Sequence, residues 1–458
     1  MAVFGTFGPD KQVAHRLRQY LGHSQPPLVR LESRGLTLFC QPERDTLCRC
    51  GEDLVWFSGH FYQKPPLYHA LEIEDEFPGS LPHADARVFY YMSLLREWPL
   101  LQDIYAEFAG LRLSREGLTL VADRAMTRPV FYALQGQTLV FGNCPLTLVR
   151  ALGREARFTS SHKEQIKLFG TILDGDSLCD GLFFVPPGHG LVCGLDGHIQ
   201  RFGYLRPVTG DHNHNLEKKE LAYELCRLFV RAVELVTREQ QRCALVADSL
   251  PGILCAFVYP FERLPLDIWL PDMRLEPLFA PILERFTDAP VFHQLTGHVP
   301  ASTDMSGALV FPRMYHLPAE DFPARLTGYL HDRGETVSAQ ATACREYLLR
   351  LAEPDILTKI RLWGRDLRNP LQECFWQQFL RTIEPELVVD KKLFHRMGKN
   401  PLFASHVNTK RLERSLPRPT GPKLSAYHAY LQQAADLRPG SETLESRRVD
   451  DLPDLLAS

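Results

Sequence analysis

Cys243 to Val258 reads CALVADSLPGILCAFV: an apolar run, a polar turn, then a second apolar run with a different period. Ala244–Ala247 has the length and content of a buried strand, whereas Ile253, Leu254, Phe257 and Val258 recur at helical spacing. Asp248 or Ser249 suits the cap of that helix. Pro251 falls in its first turn, where a missing N–H costs nothing. A strand that turns directly into a helix also aims backbone N–H groups above the sheet, which is a place for phosphate. The turn is therefore either a structural cap or a nucleotide loop built on Asp248, Ser249, Leu250 and Gly252.

Outward from this unit the pattern continues. Upstream, within 216–240, Leu221, Leu225, Leu228, Phe229, Ala232, Val233 and Val236 recur every three or four residues between charged positions, as in an amphipathic helix. Downstream, Leu266–Leu270 has strand content and Glu276–Phe286 helical content, with further helices expected at Ala339–Leu351 and Gln372–Thr382. This order predicts a doubly wound nucleotide-binding α/β domain over 216–437 with a helical C-terminal part. A cluster of Pro, Gly, Asp and Asn, PVTGDHNHN, predicts a linker at 208–215, where His212 and His214 are solvated or bind a metal together. Residues 438–458 are polar and acidic and are expected to form a flexible tail, with Leu452–Leu456 as a possible docking cluster.

Residues 1–207 differ in character. Short strand signals follow one another as LVRL, LTLFC, LVWFSGHFY, RVFYYMSLL, LRLS, LTLVA, PVFYAL, TLVFG and GLVCG, with turns such as Leu134–Gln137 between them. Helical stretches near His15–Leu21 and Lys163–Phe169 interrupt the series. The expected fold is an α+β domain of two packed antiparallel sheets.

Composition narrows the function. The 458 residues are 45% hydrophobic and 23% charged, ordinary for a globular chain of two or three domains. A net charge of −3 supplies no basic field for nucleic acid, and no stretch has the length of a membrane span. The amino terminus lacks the pattern of an export signal, and eleven scattered cysteines read as reduced thiols, so a cytoplasmic location is expected. Cys48-x-Cys50 with His60 nearby is at most half of a metal site, and no metal is expected.

Three stretches carry a family resemblance. Val121–Tyr132, VADRAMTRPVFY, resembles the Ala-Arg-Asp-Arg-x-Gly-x-Arg-Pro-Leu-Tyr-Tyr signature of the glutamine-hydrolysing asparagine synthetase family. Leu139–Asn143 sits where that family has its next strand and turn. Gly181–His189 with Leu195–Gly197 and Arg201–Tyr204 resembles its Gly-Ile…Pro-Pro-Gly-His…Gly…Tyr-Trp run. The resemblance implies a class II glutamine amidotransferase-like (Ntn-type) α+β sheet sandwich, followed by an α/β nucleotide-binding domain of HUP or PP-loop type.

The resemblance also exposes departures. The family's nucleophile is a cysteine immediately after the initiator methionine, with its own α-amino group as base; here Ala2 follows Met1. The family's glutamine-binding Asn-Gly-x-Ile-Tyr-Asn appears as Ser58–Gln63, so Ser58, Gly59, Asp123 and Arg124 are read as a pocket remnant or as structural residues. The pyrophosphate loop Ser-Gly-Gly-x-Asp-Ser falls on Ala247–Gly252. There Asp248 adds a carboxylate, and two like charges ~4 Å apart cost about 4 kcal/mol at an effective dielectric of 20.

A second acidic loop has only Leu295–Gly307 as its counterpart, and Arg368–Glu373 resembles the family's Arg-x-Pro-Phe-Leu-Asp, with Gln372 or Glu373 as a helix cap. Lys399 and Lys423 are the lysines considered for phosphate.

The expectation is thus a non-catalytic paralogue, with glutaminase activity lost and no cofactor, that binds an unknown protein or peptide partner. Nucleic acid and membrane are not expected partners, and subunit pairing is left open. The alternative is a diverged AMP-forming amide ligase using ATP and Mg²⁺; an ordinary asparagine synthetase is a third reading.

Overall fold

The computed structural model describes residues 3–21, 28–41, 46–73, 83–169, 179–205, 216–238, 242–247, 250–258, 265–283, 290–294, 308–310, 367–383, 392–400, 428–433, 445–447 and 452. Two compact units are present. The first comprises Met1–Arg206, Asp355–Gly364 and Pro422–Ser458; the second comprises Pro207–Pro354 and Arg365–Gly421.

The first unit is built on two sheets. Its elements run β1 (Phe4–Phe7), α1 (Lys11–Leu21), β2 (Val29–Ser33), β3 (Leu36–Cys40), β4 (Thr46–Cys50), β5 (Asp53–Phe61), α2 (Lys64–Ala70), α3 (Ala84–Leu95), β6 (Ala106–Leu113), β7 (Gly117–Ala122), β8 (Phe131–Gln135), β9 (Thr138–Gly142), α4 (Pro145–Ala151), α5 (Ser160–Phe169), β10 (Phe183–Phe184), β11 (His189–Gly194) and β12 (Ile199–Gly203). One sheet has the order β10-β8-β9-β1-β3-β2, and the other β12-β11-β7-β6-β5-β4. All of these pairings are antiparallel.

Alternation along each strand builds four layers. On β5, Leu54 and Trp56 enter a core shared with Phe7, Leu38, Leu111 and Phe141 of both sheets. Val55 and Phe57 point the other way and pack with Leu67 of α2 and Val88, Phe89 and Met92 of α3. The outer face of the first sheet, Phe4, Phe39 and Val140, is covered by Val13 and Leu17 of α1, Leu148 of α4 and Ile166 of α5. The layers are helix, sheet, sheet, helix.

Two sequence expectations are corrected here. RVFYYMSLL was read as a strand, but it lies in α3. A short apolar run of aromatic and branched residues does not reveal its period, and the outer face of β5 and β6 needs a helix's width of cover. The tail expected over 438–458 contains a strand, Glu445–Arg447, paired in parallel with β2, and Leu452 is buried in the inter-sheet core.

The second unit opens with α6 (Lys218–Thr237), started by a capping box between Glu217 and Glu220, and every apolar position named above is buried in it. It continues β13 (Cys243–Val246), α7 (Leu250–Ala256), β14 (Leu266–Leu270), α8 (Ala280–Leu283), β15 (Val291–Gln294), β16 (Ala308–Val310), β17 (Leu367–Arg368), α9 (Cys374–Arg381) and α10 (Lys392–Met397). The five strands form a wholly parallel sheet in the order β15-β14-β13-β16-β17.

Of the helix expected at Glu276–Phe286, the described residues form the end of a 3-10 turn over Met273–Phe279, which has Pro277 inside it, and the short α8, while residues 284–286 lie outside the described residues. Glu373 caps α9 by accepting from the Trp376 N–H at 2.8 Å. Leu295–Gly307, Ala339–Leu351, the 208–215 linker with its histidines, and Lys423 lie outside the described residues.

Candidate functional site

The strands that carry the motifs meet at one place in the first unit. β7 ends at Ala122, and the loop that follows, Asp123–Val130, leads into β8. Asp123 organises it. One carboxylate oxygen accepts from the Ala125 N–H at 2.7 Å; the other accepts from the Phe108 N–H at 2.9 Å and from the Thr127 hydroxyl, and the Thr127 N–H reaches both at 3.2 Å. Burial pushes the Asp123 carboxyl above its ordinary range, against the pull of these donors.

The loop turns at Met126, whose φ of +49° lies in the left-handed region where the quoted family signature has glycine. Arg124 donates to the Gln102 carbonyl, on the 3-10 turn Trp98–Gln102.

Ser58 and Gly59 lie on β5, paired with Ala109 and Phe108 of β6. A side chain at Gly59 would sit 2.0 Å from the Glu107 carbonyl oxygen, and its φ is +137°, so glycine is required there. Ser58 is buried, and its hydroxyl accepts from Arg128 Nη1 at 3.0 Å, tying the β7–β8 loop to β5.

Arg128 belongs to the quoted signature but was not singled out in the sequence reading. Glu107 was missed as well: its buried carboxylate accepts from Tyr105 at 2.7 Å and Tyr62 at 3.1 Å, and those two rings stack at 4.4 Å. The Gln63 carboxamide oxygen accepts from the Tyr105 N–H at 2.9 Å. Thus the Ser58–Gln63 stretch is bonded to β6 and to Tyr105 just before it.

The Gly181–His189 and Arg201–Tyr204 stretches close on the same loop. The Gly188 N–H donates to the Asp123 carbonyl at 3.0 Å, and Tyr204 donates through its hydroxyl to the Ala122 carbonyl at 2.7 Å. Burial drives the Tyr204 phenol well above its usual range. At the start of β1, the Val3 N–H donates to Asn143 Oδ1 at 3.2 Å, and the Asn143 N–H donates back to the Val3 carbonyl at 3.0 Å. Cys48 and Cys50 of β4 are both buried in the α2–α3 side core, and the Cys48 thiol lies 3.8 Å from the Val55 carbonyl. His60 lies 3.9 Å from Asp85.

In the second unit, Asp248 and Ser249 lie outside the described residues. Leu250 and Gly252 are on α7, all seven residues of which are buried. The Ala247 N–H is used in the sheet, donating to the Trp269 carbonyl at 2.9 Å. Within the sheet, Asp267 of β14 is paired with Arg242 at 2.6 Å and His293 at 3.1 Å. Burial alone would raise its carboxyl, but these two partners together hold it below the ordinary value. Lys399 is exposed on the turn after α10. Among the described residues, no group of three or more His, Cys, Asp or Glu is arranged to hold a metal, and no helix is long and apolar enough to cross a membrane.

No family model and no curated protein matches the sequence. Among solved structures, the glutamine phosphoribosylpyrophosphate (PRPP) amidotransferase from B. subtilis complexed with ADP and GMP aligns at 12% identity, covering 56% of this chain and 63% of that one, with a TM-score of 0.30. A structure described as the allosteric regulatory enzyme of purine biosynthesis aligns at 10% identity, covering 64% and 80%, with a TM-score of 0.31. This chain therefore spans less than two thirds of the first neighbour's length.

Proposed function

We propose that this chain is an asparagine-synthetase-like scaffold without glutaminase or adenylating chemistry, which binds a protein or peptide partner in the cytoplasm. The observation that carries the reading is the engagement of Asp123: both oxygens of the carboxylate are occupied by donors of its own loop and of β6. Ser58 is likewise tied to Arg128. Residues that the resemblance assigns to a glutamine pocket are spent on holding strands together. Buried thiols agree with a structural use of cysteine, since burial pushes Cys226 up to about 12 and Cys243 to about 11, where no reactive thiolate forms near neutrality.

The alternative is a diverged ligase that joins an amine to an adenylated carboxylate with ATP and Mg²⁺. One observation favours it. Numbered from β13, the parallel sheet has the order 3-2-1-4-5, so the C-terminal end of β13 lies at the point where strand order reverses. Open α/β sheets bind ligands at that point.

Calorimetric titration with Mg-ATP and with AMP separates the two. The scaffold reading expects no heat from folded protein with either nucleotide and no glutamate released from glutamine. A dissociation constant of about 1 μM for Mg-ATP, roughly 8 kcal/mol of binding, overturns it in favour of the ligase.

A further inference from the structure

A concavity of about 510 Å³ opens in the first unit between α1 and the β2–β3 hairpin. Its origin is a change of character along one sheet face. Phe4 of β1 and Phe39 of β3 hold the apolar side of α1 through Val13 and Leu17. Two residues further along the same face, Thr6 pairs with Thr37, which pairs with Glu32. Apolar contact ends there, and the polar floor faces a helix edge that carries Lys11, His15 and Arg18 at spacings of four and three residues.

The charges of this wall are unevenly committed. Arg30 is paired with Glu32, and Arg34 with Glu52 at 3.4 Å. Asp10 Oδ1 caps α1, accepting from the Gln12 N–H at 2.9 Å and the Val13 N–H at 3.4 Å. Lys11 and Arg18 also line the cavity, and among the described residues no carboxylate pairs with either. Exposed cations are ordinarily just solvated. Here Lys11 and the half-buried Arg18 share a concave wall in which cations outnumber the carboxylates of Asp10 and Glu32, and the volume is that of a small-molecule site. Seven residues of helix separate them by about 10.5 Å along the axis. That span suits a ligand with two charged ends better than a single phosphate.

We propose that this groove binds a small molecule carrying two oxyanion groups, one held by Lys11 and the other by Arg18, with the Thr6 and Thr37 hydroxyls on its floor. The inference does not depend on the fate of the glutamine pocket or of the β13 turn.

The test is calorimetric titration of the full chain with inorganic pyrophosphate, citrate and inorganic phosphate, on the wild type and on Lys11→Gln, Arg18→Gln and Lys163→Gln, the last an exposed lysine on α5 outside the groove. Pyrophosphate or citrate should bind at least about tenfold more tightly than phosphate. Each groove substitution should weaken that binding about tenfold and Lys163→Gln should leave it unchanged. Preference between pyrophosphate and citrate tells a phosphate-bearing ligand from a polycarboxylate. If neither binds below about 1 mM, or if both groove variants bind as the wild type does, the proposal is overturned. Circular dichroism and melting of each variant check that it is folded. Should a groove variant not fold, weakening of wild-type binding with added salt keeps the question decidable, because binding that ignores salt also overturns the proposal.

Discussion

Asp123 and Asp267 are both aspartates near the end of a strand or within it, yet their surroundings push them in opposite directions. Asp123 is enclosed by neutral donors, three backbone N–H groups and one hydroxyl, and burial raises its carboxyl. Asp267 is also penalised by burial, but Arg242 and His293 outweigh that and lower it. The lesson is that an anion held by its own backbone gains position without gaining a countercharge. Such a carboxylate belongs to the architecture, whereas one held by the side chains of Arg242 and His293 has partners that can exchange.

The comparison breaks most visibly at Asp123. Asp123→Ala leaves the N–H groups of Phe108, Ala125 and Thr127 without their acceptor and should cost ~3–5 kcal/mol in denaturant unfolding; a loss below about 1 kcal/mol would show that the loop is not organised by this residue. Asp267→Asn should cost much less, about 1 kcal/mol, because Arg242 is largely exposed and the pair is screened.

The smallest effect is the most discriminating. A lowered carboxyl contributes stability that is present above the ordinary carboxylate range and lost as pH falls through the folded value. A raised one contributes stability that is full below that range and lost as pH rises through the folded value. From about pH 7 down to about pH 3, the advantage of the wild type over Asp267→Asn should therefore shrink, while its advantage over Asp123→Asn should grow. Parallel trends would end the contrast.

How much of this was legible in the residues depended on whether a side-chain pattern carried the information. Leu36–Cys40, Gly117–Ala122 and Thr138–Gly142 were readable because apolar strands bounded by turn residues have few other options. The helix α6 was readable from its period, and the switch from β13 to α7 from its abrupt change of period. The strand Phe4–Phe7 was not, since four residues including a glycine are too short to show alternation, and all four are buried. The strand Glu445–Arg447 was not, because it joins β2 through backbone bonds and its sequence, ESR, has no apolar face to announce.

At the site, Asp123, Ser58 and Gly59 stood out in the sequence as a glutamine-pocket remnant or structural residues, but the bonds that tie Asp123 to β6 and Ser58 to the β7–β8 loop were invisible. Arg128 to Ser58 spans seventy positions of chain. The Glu107–Tyr62–Tyr105 cluster carried no signature, because its partners come from different strands and neither tyrosine differs in sequence from an ordinary core aromatic.

The pairing of Glu445–Arg447 with β2 has a consequence for biosynthesis. Val29 leaves the ribosome more than four hundred residues ahead of its partner Glu445. At a synthesis rate of roughly 5–20 residues per second, the N–H and C=O groups along that edge of β2 wait on the order of 20–80 s for their complement. During that interval the nascent sheet presents an open edge to other nascent chains, a template for wrong pairing. Translation speed through the message between these two strands thus sets how long a holding chaperone has to guard that edge.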